Sequence, residues 1–165
     1  MIRLLRAGVS RVPLPTPLAL PMMGYGARQG RAAALHDPLF ARALYLASGS
    51  DCLLVVLDLC LLAPGQARAL RERLAARSGV PFERIVVACT HTHSGPDTGL
   101  RETLNGGTTH PSVDDLLNAA QRAGEEAVAS AAPARLGAGC AESSIGRNRR
   151  RANGAIDPEV SILRV

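Results

Sequence analysis

Apolar positions recur along this chain with two different periods, and the change from one to the other marks out its elements. Residues 4–12, Leu39–Ala47 and Cys52–Leu59 are apolar or alternating runs bounded by Pro, Gly, Ser and Asp, the pattern of strands. Ser48-Gly49-Ser50-Asp51 joins the second run to the third as a hairpin-type turn. Cys52–Leu59 is apolar almost without a break until Asp58, which predicts a strand buried on both faces. The period then lengthens. Ala63, Ala67, Leu70 and Leu74 return every three or four residues, with Arg68, Arg71, Glu72, Arg73 and Arg77 between them. Pro64 suits the first helical position, and Gly79 with Pro81 ends the helix. Ile85–Thr90 returns to a strand pattern.

Strand, helix and strand with short links form a βαβ unit, whose strands run parallel with a right-handed crossover. The predicted fold class is α/β. It has a mixed sheet containing this unit (strands about 52–59 and 85–90, helix about 64–78) and a second helix over about 111–131. In the second helix Val113, Leu116, Leu117, Ala120, Ala123, Ala127 and Val128 share one face. Pro133 stops it, and Arg135–Cys140 and Val160–Val165 read as further strands. The proline-rich stretch from Pro13 to Pro21 lacks the donors a central strand needs, so it is an extended loop. That loop carries Met22, Met23 and Tyr25, either as pocket lining or as cover over the core. Residues 94–110 form a long second loop.

Composition narrows the class. A chain of 165 residues that is 47% apolar has room for one domain with a real core, and with 2% aromatics that core is aliphatic. The net charge of +5 comes from arginines spread over helices and turns with no aromatic stacking platform, which argues against a nucleic-acid partner. Cys52, Cys60, Cys89 and Cys140 show no C-x-x-C spacing and read as small hydrophobes rather than a disulfide framework. No run approaches a membrane span, and Arg6 and Gly8 interrupt any signal-peptide core, so a cytoplasmic location is expected, or secretion if the true N-terminus is missing.

The densest chemistry lies in Val86-Val87-Ala88-Cys89-Thr90-His91-Thr92-His93-Ser94-Gly95-Pro96. Alternation along a strand turns His91 and His93 to the same side. They stand at the carboxyl end of a parallel strand, where open α/β sheets bind ligands. Two such imidazoles can share a metal ion, or divide metal binding from proton transfer. Asp58, at the end of the neighbouring strand, can orient an imidazole or cap a loop. A catalytic zinc takes three protein ligands, and the spacing leaves His36, His110, Asp58, Asp97 and Cys89 all open as a third. Arg147-Asn148-Arg149-Arg150-Arg151 is either a solvated charge run or an anion clamp. No G-x-S-x-G, P-loop, G-x-G-x-x-G or H-E-x-x-H motif is present.

These pieces occur in a telling order: Pro21-Met22-Met23-Gly24-Tyr25, His36-Asp37-Pro38-Leu39-Phe40-Ala41-Arg42-Ala43, the Asp58 strand, Thr90-His91-Thr92-His93-Ser94-Gly95-Pro96, Asn148-Arg149-Arg150 and Asp157-Pro158-Glu159. Together they resemble the N-terminal part of the neutral/alkaline, non-lysosomal ceramidase family, over nearly the whole chain. The resemblance implies that residues 1–165 are the N-terminal portion of a larger catalytic domain. It implies a Zn2+-dependent hydrolase that cleaves the N-acyl amide bond of ceramide or a related lipid. Carried over by motif, His91 is a zinc ligand, His93 lies beside the scissile amide, and Arg149 contacts the reacting centre. The family's remaining ligands and its active-site serine fall beyond residue 165, so this chain alone is expected to be catalytically poor. Two rivals stay open: an amidohydrolase-type barrel, where a His-x-His also ends a strand, and a catalytically inactive binding module of the same fold.

Overall fold

The computed structural model describes residues 4–16, 18, 20–28, 30–100 and 112–165. Five strands form one mixed sheet: β1 (Arg6–Pro13), β2 (Phe40–Ala47), β3 (Asp51–Leu57), β4 (Ile85–Cys89) and the two-residue β5 (Ala132–Pro133). Their spatial order is β4-β3-β2-β1-β5. β1–β2, β2–β3 and β1–β5 pair antiparallel, whereas β3–β4 pair parallel, with Leu57 opposite Cys89. The sheet is therefore open, with β4 and β5 at its edges. An amidohydrolase-type barrel, built from strict strand–helix alternation, is not this architecture.

Helix α1 (Pro64–Ser78) crosses between the parallel strands, and α2 (Ser112–Ala129) follows the second loop. Gly79 closes α1 in the left-handed region (φ 75°), donating its N–H to the Ala75 carbonyl. The two helices pack on each other and on the same side of the sheet. Gly124 permits this. A Cβ there would overlap the Leu74 side chain.

The expectation that the third strand is buried on both faces needs correction. Leu53, Val55 and Leu57 are fully buried beneath the helices, while Leu54 and Val56 on the other face are only half-buried. Val86 and Val9 are exposed. An apolar run alone cannot say how many layers cover it; within this chain both helices take one face. The strand ends are also shorter than expected. β3 stops at Leu57, before Asp58, and β4 stops at Cys89, before Thr90.

The end of the chain departs further. The strand expected over 135–140 is β6 (Gly137–Glu142), and it pairs only with β7 (Glu159–Arg164), as a separate two-stranded ribbon. Every residue of both strands is exposed. The short β5 completes the main sheet instead.

The core is aliphatic, as composition requires: Leu53, Leu57, Leu70, Leu74, Ile85 and Leu116 are its largest fully buried members. Leu70 sits at the centre of the α1 stripe. Its truncation to alanine is expected to cost about 2–5 kcal/mol, read as a lower urea midpoint at unchanged slope.

Candidate active site

Parallel β3 and β4 end side by side, and the segments that leave them build the site. After Leu57 the chain passes through Asp58, Leu59 and Cys60 to Ala63, where α1 begins. After Cys89 it runs through Thr90 to His91, which adopts the left-handed region at φ 60°. A non-glycine residue held there costs on the order of 1–3 kcal/mol and persists only where its surroundings require it. Here the turn aims the His91 ring back at the β3 exit. His91 Nδ1 lies 2.9 Å from the Cys60 carbonyl oxygen. A carbonyl can only accept, so this bond puts the proton on Nδ1 and leaves Nε2 with a free lone pair.

His93 stands next to it. The two imidazole centroids are 5.1 Å apart, and Tyr25 meets His93 edge-on at 4.7 Å. The histidines do converge, but not by strand alternation, because both lie beyond the end of β4. The convergence depends on the left-handed turn at His91 and on a clamp from residues 21–28. Arg28 donates through Nη1 to the His93 carbonyl (2.6 Å), and its guanidinium stacks on Tyr25 at 4.9 Å. Met23 N–H donates to the Gly95 carbonyl, and Asp97 N–H donates to the Pro21 carbonyl. Gly24 (φ 95°) presses against the His93 ring, where any Cβ would overlap it.

A buried polar pair holds the floor. Thr98 is fully buried; its hydroxyl donates to the Leu61 carbonyl, while Gln66 Nε2 donates to the Thr98 carbonyl. Gln66 Oε1 accepts from Ala63 N–H, capping α1. Two loops and a helix start are thus joined through groups that burial obliges to pair.

The resulting cleft encloses about 510 Å³. Met22, Met23, Tyr25 and Leu61 supply apolar wall, and Cys60, His91, His93 and Asp97 supply polar groups. Residues 21–26 are therefore pocket lining, while Leu14 and Leu20 earlier in the same loop are buried as cover over the core. Among the described residues, one group of donors could hold a metal: Cys60, His91 and His93, each offering an atom within 4.8 Å of the others.

Other nominated residues lie elsewhere. Asp58 does not face the imidazoles; its Oδ2 accepts from Phe40 N–H (3.0 Å) and from Arg42 Nη1 (2.7 Å), tying β3 to β2. His36 is almost fully exposed, pairs with Asp37 at 2.8 Å, and lines a second, apolar cleft of about 630 Å³ bounded by the Thr92–Pro96 side of the loop. Cys89 still belongs to β4, so it does not share the histidine cluster. His110 lies outside the described residues. Arg149 sits exposed in the β6–β7 connection, a turn shaped by Asn148 Oδ1 accepting from the N–H groups of Arg150 and Arg151. It is not among the residues that line the histidine cleft.

Sequence reading missed Cys60, Arg28, Gly24 and the Gln66–Thr98 pair. Cys60 looks like one more apolar position after Asp58. Gly24-Tyr25-Gly26 was the available hint, since paired glycines around an aromatic mark backbone that must pass close to something.

The thiols divide by environment. Burial raises the Cys60 pKa, with a further push from Asp97; burial also raises that of Cys89, followed by the proximity of Cys60. Cys52 and Cys140 are exposed. Because the thiolate is the nucleophile, iodoacetamide at pH 8 is expected to label Cys52 and Cys140 first. Labelling of Cys60 and Cys89 should lag and gain as pH rises, with peptide mass spectrometry as the readout.

Compared with known proteins, residues 13–155 match the neutral/alkaline non-lysosomal ceramidase N-terminal family. The fold is similar to that of a ceramidase solved in complex with C2, at TM-score 0.80 and 29% identity over 98% of this chain. It is also similar to the neutral ceramidase from Pseudomonas aeruginosa, at TM-score 0.78 and 28% identity over 98% of this chain. The chain spans 28% and 29% of the length of those two proteins.

Proposed function

Because the chain belongs to the neutral/alkaline non-lysosomal ceramidase family, we propose that it contributes one wall of the active site of a zinc-dependent hydrolase of lipid N-acyl amides, ceramide or a close relative. The observation that carries this reading is the pair of imidazoles meeting in a cleft, with the Nδ1 of one held by the Cys60 carbonyl. A backbone carbonyl on the far nitrogen is the usual outer partner of a metal-binding histidine, and it leaves His91 Nε2 aimed as a ligand. The donor chemistry fits zinc, which takes imidazole nitrogen and thiolate sulfur. When bound, zinc supplies a Lewis acid that polarises the amide carbonyl and lowers the pKa of an attacking water.

His91 holds and orients; His93 moves the proton. As water oxygen bonds to the acyl carbon, His93 takes its proton, and it returns that proton to the nitrogen as the C–N bond breaks. The edge-on Tyr25 ring and the Arg28 bond to the His93 backbone keep this imidazole in place. Arg149, which does not line the histidine cleft within this chain, is given by the family resemblance alone the negative charge that develops on the carbonyl oxygen, a task its planar fork of donors suits. Met22, Met23 and Leu61 offer apolar contact to the lipid part of the substrate.

The test is hydrolysis by the full-length protein of N-acylated sphingoid bases against shorter N-acyl amides, before and after chelation. Preferential cleavage of the sphingoid substrates, lost on chelation and restored by zinc, is the expected result. Turnover indifferent to chelation would rule the metal role out, and equal turnover of short amides would move the substrate class away from lipids.

A further inference from the structure

We propose that Cys60, His91 and His93 form a chelate for a thiophilic divalent ion, which this chain supplies without donors from elsewhere and which takes His93 out of proton transfer. The inference rests on the reading of His91 as a metal ligand and extends it to a thiol that no family motif marks.

The geometry points to it directly. Cys60 Sγ lies 3.7 Å from His91 Nδ1. Two donors on one tetrahedral zinc, with Zn–S about 2.3 Å and Zn–N about 2.0–2.1 Å, stand about 3.6 Å apart. The sulfur and the imidazole nitrogen are therefore already at ligand spacing. Each of the three residues offers a donor atom within 4.8 Å of the other two, so chelation requires the His93 ring to shift from its place against Gly24 and Tyr25. The backbone explains the meeting. Leu57 is paired with Cys89 in the parallel ladder, so Cys60 and His91 leave adjacent strand ends a few residues later. The left-handed turn at His91 faces its ring toward Cys60.

Chelation and catalysis use opposite nitrogens of the same ring. In the catalytic arrangement Nδ1 keeps its proton on the Cys60 carbonyl and Nε2 meets zinc. In the chelate the imidazole proton moves from Nδ1 to Nε2 by way of water, the bond to that carbonyl opens, the Cys60 thiol gives its proton to solvent, and the thiolate sulfur and Nδ1 share the ion. His93 then has its lone pair on the metal and cannot accept a proton, so the chelated site is a blocked one. Asp97 lines the same cleft and adds negative charge beside the cation.

Cobalt(II) titration of the 165-residue chain tests this, because cobalt replaces zinc and a thiolate ligand adds a sulfur-to-metal charge-transfer band in the near ultraviolet. The wild type and Cys89→Ser should show that band, and Cys60→Ser should lose it and bind cobalt at least about 10-fold more weakly, the low end of what loss of a metal-site partner costs. Saturating zinc should also protect Cys60 of the wild type from alkylation, a readout independent of any variant. Visible cobalt bands that depend on His91 but carry no sulfur band, or a sulfur band lost in Cys89→Ser, would overturn the chelate and leave the hydrolase reading standing. Absence of any His91-dependent cobalt binding by this chain would also overturn the chelate, while the hydrolase reading stands or falls on the chelation assay of the full-length protein.

Discussion

Replacing His91 with alanine is expected to weaken zinc binding by this chain more than about 100-fold, beyond the 10–100-fold that follows loss of a mere outer partner. The fold should survive. His91 is exposed, lies past the end of β4, and contributes nothing to the aliphatic core. Alanine inherits the left-handed backbone at φ 60°, so a His91→Gly variant provides the control, since it removes the ring while relieving that conformation. Equal loss in both variants by calorimetry assigns the effect to the imidazole. Zinc affinity unchanged from wild type in either variant would reject His91 as a ligand.

His93→Ala is expected to lower kcat of the full-length protein by about 10²–10⁴-fold, the usual contribution of a positioned acid–base group. A second variant reaches the same ring without deleting it. Gly24 sits at φ 95° with His93 where a Cβ would go. Gly24→Val therefore pushes the imidazole aside, and a displacement of about 1 Å at a reacting group costs on the order of 10²-fold. Gly26 has nothing within 4 Å of its Cβ position, so Gly26→Ala should be silent and serves as the control. If Gly24→Val turned over at the wild-type rate with its fold intact by circular dichroism, His93 would not need its observed position, and its role in proton transfer would fall.

Much of this arrangement was legible in one dimension, and the reasons are local. The 3.6-residue recurrence of Leu70 and Leu74, bracketed by Pro64 and Gly79, specifies α1 because side-chain spacing and cap geometry act within a few residues. The apolar face of the second helix, from Val113 to Ala127, is equally explicit. The βαβ order then places His91 and His93 just past the carboxyl end of one strand and beside that of the other, because strands joined by a helical crossover run parallel.

What failed was whatever depended on contacts between distant segments. Asp58 and the histidines lie at neighbouring strand ends, but Arg42, one strand over, offered the carboxylate a closer positive charge. Cys89 could share a face with the histidines only if a regular strand ran on from Cys89 to His93. With β4 ending at Cys89 and His91 turned left-handed, the sulfur beside the imidazole belongs to Cys60 instead.

By itself, then, the order of residues determined the helices, the parallel pair and the Thr-His-Thr-His-Ser-Gly-Pro block that marks the family, because periodicity, caps and motif are properties of neighbouring residues. Only the tertiary structure decided which thiol meets His91, which loop presses on His93 and which face of the sheet the helices cover. Those outcomes come from competition among groups far apart in sequence for the same buried volume and the same hydrogen-bond partners, and no local pattern records who wins.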